Sequence, residues 1–287
     1  MMRFAGPFLA VDWGTTNRRC FRIEAGRVTD SASDDRGAAA VTDFAAEAAG
    51  LRARLGDLPM LLAGMVGSSI GWRTAPYAPA PAGIPALAAA LTWIDARTVI
   101  VPGVATARDV MRGEELQLLG AAIAGMAPPD ALLCQPGTHS KWARMEAGRI
   151  AGFTTAMTGE LFALIRSHGL LAAQLGAPAV AGAAFLEGEA EGRRRDLAAS
   201  LFGIRASGLL GLRDDADAAS HASGLLIGAE VAARLAESRA DAVHILTDSP
   251  LGGLYAAAIE AQGARAILLD SRTAFISGAA ALATEIA

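Results

Sequence analysis

The chain has 287 residues, 53% of them hydrophobic but only 5% aromatic, and carries a net charge of −4 with a pI near 5.6. That length leaves room for two compact domains, and no apolar run approaches the ~20 residues a membrane helix needs. The acidic balance argues against nucleic acid as a partner, and Cys20 and Cys134, with neither a CxxC pair nor a His/Cys cluster, exclude a disulfide framework and structural zinc.

The apolar run 1–11 is too short for a signal peptide and leads straight into Asp12, so a cytoplasmic protein is expected. Residues 8–11 read as a strand, Asp12-Trp13-Gly14-Thr15-Thr16-Asn17 as a turn, and 20–23 and 27–31 as antiparallel returns. Helical periodicity covers 41–55, with Thr42 or Asp43 as its cap. A strand over 59–66 ends in Gly67-Ser68-Ser69. After the Pro-rich stretch 76–85 come a helix at 86–94, a strand at 98–101 and a helix at 110–126 that opens on Arg112-Gly113-Glu114-Glu115.

Ala127-Pro128-Pro129-Asp130 marks a boundary, giving expected domains 1–127 and 128–287. Beyond it the opening scheme returns: a strand at 131–134, the turn Pro136-Gly137-Thr138-His139-Ser140-Lys141, and strands at 142–145 and 149–155. Thr158 is expected to cap the next helix. Arg193-Arg194-Arg195, set among Glu187, Glu189, Glu191 and Asp196, reads as a solvated helix face. Helices at 219–238, 252–262 and 273–286 then alternate with strands at 242–248 and 266–270. Two halves that each open on a strand and a Gly-Thr turn form an internal duplication, the pattern of two α/β domains facing a cleft.

Neither a GxxxxGK[ST] loop, nor a GxGxxG after a strand, nor a protein-kinase motif is present. If the chain handles phosphate, it does so through the two Gly-Thr turns. In the first, Gly14 lets the backbone approach phosphate oxygens, Thr15 and Thr16 supply hydroxyls, and Asp12 can hold Mg²⁺ directly or through water. The second contains Lys141, the one lysine among 25 Lys and Arg residues. An ammonium is a compact point charge suited to a phosphate oxygen, and with His139 it makes this a cationic turn.

Asp12-Trp13-Gly14-Thr15-Thr16-Asn17-Arg18-Arg19 resembles the first phosphate motif of sugar kinases in the actin-like superfamily, and the turn with Gly137, Thr138, His139 and Lys141 resembles the second. Gly64-Met65-Val66-Gly67-Ser68-Ser69-Ile70-Gly71-Trp72-Arg73, Ala75-Pro76-Tyr77, Met111-Arg112-Gly113-Glu114-Glu115 and Met157-Thr158-Gly159-Glu160-Leu161 together resemble the 2-dehydro-3-deoxygalactonokinase family over nearly the whole chain.

That resemblance implies an α/β fold of two actin-like (ribonuclease H-like) domains flanking a nucleotide and substrate cleft. It implies ATP-dependent phosphorylation of the 6-hydroxyl of 2-dehydro-3-deoxy-D-galactonate, with domain closure excluding water. Gly14, Thr15, Thr16, Arg19, Gly137, Thr138, His139 and Lys141 would hold phosphate, and Asp12 the Mg²⁺. Glu114 carries over as the catalytic base although the family position is commonly Asp, and Glu115 stays open beside it. Elementary chemistry also allows both to be ordinary first-turn glutamates facing the helix dipole.

Ser68, Trp72 and Arg73 are the expected substrate residues, with Glu115 nearby and Arg112 as a fork for the acid's carboxylate. Trp72 serves equally well as a packing residue. The adenine turn falls at Gly252 and Gly253, where Asp248 and Pro250 depart from the usual small residues, and Ser277-Gly278-Ala279-Ala280 fits close helix packing. The partners implied are ATP and a sugar acid, without nucleic acid or membrane, with room for a homodimer. The rivals are a kinase of the same fold acting on another sugar, and a non-kinase ATPase switch, which would need no hydroxyl base.

Overall fold

The computed structural model of the chain describes residues 4–194 and 196–287, so the start of the amino-terminal run and Arg195 of the basic run lie outside the described residues. Contacts group the chain into two compact units, one running to Asp130 with Ala143–Phe153 and Asp270–Ala287, the other comprising Ala131–Trp142 and Thr154–Leu269. The first break falls next to the boundary expected after 127, but the last helix and part of a later hairpin group with the first unit.

In the first unit β1 (Phe8–Trp13), β2 (Arg18–Glu24) and β3 (Arg27–Asp34) form an antiparallel meander in which Asp12 faces Arg19 and Arg18 faces Asp34. α1 (Phe44–Leu55) follows, capped by Asp43, whose side chain accepts from the Ala46 N–H. Its buried residues Phe44, Ala48, Leu51 and Leu55 recur at helical spacing on one face. The chain returns as β4 (Met60–Gly64), parallel to β1. Then come β5 (Tyr77–Pro79), α2 (Ile84–Ala89), β6 (Thr92–Asp95), β7 (Thr98–Ile100), β8 (Gly103–Ala105), β9 (Val110–Met111) and α3 (Glu114–Ile123). The main sheet runs β3-β2-β1-β4-β7-β6, with β5-β8-β9 as a small second sheet.

Two expected helices are corrected here. The one at 86–94 stops at Ala89, because Trp93 and Ile94 belong to β6, paired antiparallel with β7. The one at 110–126 starts only at Glu114, because Val110 and Met111 pair with β8 and Gly113 takes a φ of 109°, a conformation glycine reaches without strain.

The second large sheet opens on β10 (Ala131–Gln135), β11 (Ser140–Glu146) and β12 (Arg149–Ala156), followed by α4 (Thr158–His168), α5 (Ala183–Gly192), α6 (Leu197–Leu209) and α7 (Asp215–Ser238). β13 (Ala242–Thr247), α8 (Leu251–Ala261) and β14 (Arg265–Asp270) come next, and α9 (Ser271–Glu285) closes the chain. The sheet order β12-β11-β10-β13-β14 repeats β3-β2-β1-β4-β7, with β13 parallel to β10 as β4 is to β1, so the duplication is a duplication of topology. The core gathers Trp142, Phe185, Ile245 and Tyr255 between the sheet and helices α5, α7 and α8. Arg193 is more than a solvated face: it grips the buried carboxylate of Glu189 and the Ala261 carbonyl.

Candidate active site

Both turns expected to bind phosphate are built in the same way: their carbonyls are tied down by N–H groups of a helical turn that follows. In the first, the carbonyls of Gly14, Thr15 and Thr16 accept from Ala38, Ala39 and Gly37 at 2.9, 3.1 and 2.9 Å. The oxygens that would repel an anion are thereby occupied, while the Thr15 and Thr16 side chains stay exposed. Asp12, next to last on β1, pairs with Arg19 across the hairpin, Nη2 to Oδ2 at 2.9 Å. Arg18 beside it is structural, packed over Trp13 and bound to Asp34 and Glu47.

In the second turn the Thr138 carbonyl accepts from the Glu160 N–H at 3.0 Å, and the Gly137 carbonyl lies so close to Gly159 that a Cβ there would sit 2.3 Å from it. This is the work of Gly159 in the sequence Met157-Thr158-Gly159-Glu160. Thr158 is the first residue of α4 and not its cap; its side chain turns to the buried carboxylate of Glu230. His139 is exposed and shares a short hydrogen bond of 2.5 Å with Glu160. Lys141 is buried, its ammonium donating to the Thr155 hydroxyl at 2.9 Å.

In the first unit three backbones converge where β1, β4 and α3 meet. A Cβ on Gly64 would lie 2.7 Å from the Trp13 carbonyl, and one on Gly113 3.2 Å from the Gly64 Cα, so only glycines allow this approach. The contact brings the α3 start to the end of the strand that carries Asp12. There the Glu114 carboxylate accepts from the Arg112 N–H at 3.1 Å and that of Glu115 from the Gly113 N–H at 2.7 Å. Glu115 is wholly buried, and burial, aided by the neighbouring Glu114 charge, pushes its carboxyl up to about 8.

The Arg112 guanidinium lies 4.4 Å from the centre of the Tyr77 ring and donates to the Ala75 carbonyl at 2.8 Å, while its buried Nε and Nη1 meet no hydrogen-bond partner among the described residues. The other expected substrate residues are engaged locally. Ser68 donates to the Met65 carbonyl, Trp72 stacks on Phe44 at 6.4 Å as part of the core, and Arg73 reaches the Trp93 carbonyl.

The late turn places Gly252 against the Thr247 side chain, whereas Gly253 faces open space at the start of α8. Among the described residues no cluster of three His, Cys, Asp or Glu side chains makes a cage for a metal. Mg²⁺ does not need one, since it keeps several waters and takes one or two carboxylates with phosphate oxygens; Asp12 beside the hydroxyl-bearing turn fits that donor set. No local pattern marks the acid beneath the second turn, Glu230, because its partners Trp142, Thr158 and Tyr255 lie far away along the chain.

Comparison with known proteins returns one family. The model of 2-keto-3-deoxy-galactonokinase matches residues 12–282. The probable 2-dehydro-3-deoxygalactonokinase DgoK1 of Rhizobium meliloti (strain 1021) is 39% identical, with 99% of each chain covered. The 2-dehydro-3-deoxygalactonokinase of Escherichia coli (strain K12) is 33% identical, with 98% of each covered. A crystal structure of a Sinorhizobium meliloti protein assigned by name to the same activity superposes with a TM-score of 0.91 at 37% identity, covering 96% of this chain and 98% of that one. At 11% identity and a TM-score of 0.53, the activator of 2-hydroxyisocaproyl-CoA dehydratase from Clostridium difficile shares the fold alone. The fold is of the actin-like ATPase and sugar kinase class.

Proposed function

The chain belongs to the 2-keto-3-deoxy-galactonokinase family, and from that premise we propose how its residues divide the work of moving a phosphoryl group from ATP to a sugar acid. The reaction is transfer of the γ-phosphoryl group of ATP to the 6-hydroxyl of 2-dehydro-3-deoxy-D-galactonate. The hydroxyl oxygen bonds to the γ-phosphorus as the bond to the ADP oxygen breaks, and the hydroxyl proton passes to Glu114. Thr15, Thr16 and Thr138 donate to phosphate oxygens together with the amides of their turns, and Arg19, His139 and Lys141 balance the charge. Asp12 holds Mg²⁺, which neutralises the phosphates when bound. Gly252 and Gly253 admit the adenosine at the start of α8. A kinase fed by ATP of this kind works in the cytoplasm.

The observation that carries the acid-substrate reading is Arg112. A guanidinium whose buried Nε and Nη1 meet no acceptor is costly unless a ligand brings one, and a carboxylate is a strong, charge-matched acceptor for a guanidinium N–H. The test is an ADP-release assay over a panel of 2-keto-3-deoxy sugar acids and neutral hexoses. Turnover confined to the acids is expected, with Arg112→Lys raising their KM by roughly tenfold or more because an ammonium cannot place donors at both the Nε and the Nη1 positions. Turnover of neutral hexoses alone would overturn the acid reading.

A further inference from the structure

Beneath the second turn runs a buried hydrogen-bond chain that takes no part in the chemistry itself. The Gly137 N–H points to Ser140 Oγ at 3.4 Å, Ser140 Oγ lies 2.7 Å from Tyr255 Oη, and Tyr255 donates to Glu230 Oε2 at 2.8 Å. The other oxygen, Glu230 Oε1, accepts from Trp142 Nε1 at 2.5 Å, and Thr158 also hydrogen-bonds this carboxylate. Ser140 is fully buried, Tyr255 is 1% exposed and Glu230 8%.

The chain has a direction, and Glu230 sets it. Burial is the largest influence and leaves the pKa of this carboxyl raised, while the three donors converging on it, from Thr158, Trp142 and Tyr255, work against that rise by favouring the anion. An anionic carboxylate only accepts, an indole only donates, and a tyrosine has one O–H to give. Tyr255 therefore donates to Glu230, so Ser140 donates to Tyr255. Its oxygen is then left to accept the Gly137 N–H rather than to donate to the Gly137 carbonyl, which lies 3.5 Å away.

We propose that Glu230 is a positioning residue whose carboxylate fixes the direction of this chain and so holds the backbone at Gly137 in the orientation that presents the second turn to phosphate. The inference rests on the reading of 136–141 as a phosphate-binding turn. With the Gly137 N–H anchored inward and no hydroxyl donating to it, the Gly137 carbonyl stays against Gly159, and the adjoining Thr138 carbonyl stays on the Glu160 N–H. The remaining amides of the turn are left for the anion.

Glu230→Gln tests this with almost no change of shape. The Trp142 indole claims the amide oxygen, so the amide N–H₂ must face Tyr255. Tyr255 then donates to Ser140, and Ser140 turns its own proton to the Gly137 carbonyl, which gains an inward donor that the wild type denies it. The KM for ATP is expected to rise about tenfold, while the KM for the sugar acid stays within about twofold. Tyr255→Phe cuts the chain, so adding Glu230→Gln to it should raise the KM for ATP no further. Additive effects in the double variant, or equal rises in both KM values, would mean that Glu230 only supports the fold, and would overturn the proposal.

Should Glu230→Gln not fold, Ser140→Ala breaks the chain at its other end; it is expected to give the same selective rise, and a wild-type KM for ATP in it overturns the proposal. Lys141→Ala, measured alongside, separates the two levels. If it weakens ATP use while Glu230→Gln, Tyr255→Phe and Ser140→Ala do not, the chain has no positioning role and the turn still binds phosphate. If all four keep the wild-type KM for ATP, the phosphate reading of the turn fails as well.

Discussion

Glu114 and Glu115 are neighbours that live in different surroundings: the carboxylate of Glu114 is half-buried and accepts the Arg112 N–H, whereas that of Glu115 is wholly buried and accepts the Gly113 N–H. A base for a substrate hydroxyl must be reachable and ionised, and of the two only Glu114 has any exposure. Glu114→Gln is expected to keep the fold and ATP binding while lowering kcat by roughly 10²-fold. Glu115→Gln, whose amide oxygen can still accept the Gly113 N–H, should lower it much less. A reversed ranking in steady-state kinetics would move the base to Glu115.

The same buried carboxyl makes stability depend on pH. Its folded pKa, about 8, lies above the ordinary 4.5, so between these values the folded chain holds a proton that the unfolded chain has lost. The stabilisation is complete below the lower value and disappears as the pH rises through the upper one. Thermal unfolding followed from about pH 5 to about pH 9 should show Tm falling in the wild type and a flatter profile in Glu115→Gln, which has no proton to lose. Parallel profiles would show that another group titrates.

Much of this was legible because a Gly-Thr turn after an apolar strand constrains its surroundings. Both hairpins and the strands expected at 59–66 and 242–248 are present, the first of these strands ending already at Gly64, and of Thr42 and Asp43 it is Asp43 that caps α1. α5 and α6 went unread: α6 is apolar around most of its circumference, yet only Ser200 and Ile204 are buried, so no periodic stripe marks it. The strand at Val110–Met111 hid inside a run that reads as helix, and only the φ of Gly113 separates them. Side-chain partners were least legible. Arg73 on the Trp93 carbonyl and Glu230 under the second turn depend on contacts across the fold that no local pattern encodes.

Glycines in helices give a test of packing in which the sign of the effect is at stake. Helix propensity favours alanine over glycine by ~1 kcal/mol, and at Gly50, where a Cβ would meet nothing within 4 Å, Gly50→Ala should raise stability by up to that amount. At Gly120 the Cβ would lie 1.9 Å from the Ala274 carbonyl, and at Gly278 2.0 Å from that of Leu116, so α3 and α9 would have to separate. Gly120→Ala is expected to destabilise by ~2 kcal/mol or more in denaturant unfolding. Equal effects at the two sites would contradict the close packing of α3 on α9.

The role proposed for Asp12 couples Mg²⁺ to the first turn. Asp12→Asn replaces a hard anionic ligand with a neutral amide and weakens the hold on Arg19 at the same time. The Mg²⁺ concentration needed for half-maximal activity should rise several-fold, beyond what a change in KM for ATP accounts for. Arg19→Ala separates the two effects, because it removes the ion pair and leaves the carboxylate. An unchanged Mg²⁺ titration in Asp12→Asn would remove Asp12 from the metal's surroundings.

Lys141 brings composition and structure together. In a chain with one lysine among 25 basic residues, that lysine is 6% exposed, at the start of β11, with its ammonium on the Thr155 hydroxyl. An exposed hairpin lysine would cost nothing to remove; a buried ammonium is costly to desolvate, and in the turn proposed to bind phosphate it would have an anion to meet. Contact with a terminal phosphate oxygen strengthens as charge shifts in the transition state, so its loss should fall on kcat as well as on the KM for ATP. Lys141→Ala is expected to lower kcat/KM by roughly 10²-fold, the scale for losing one preorganised donor. Lys141→Arg should recover only part of this, since a guanidinium is broader than the slot and cannot act as a point charge. Thr155→Val, which keeps the lysine and removes its anchor, should raise the KM for ATP a few-fold and leave kcat closer to wild type. Wild-type kinetics in a folded Lys141→Ala would discard the phosphate role of the ammonium and leave the second turn to bind through Thr138 and its amides.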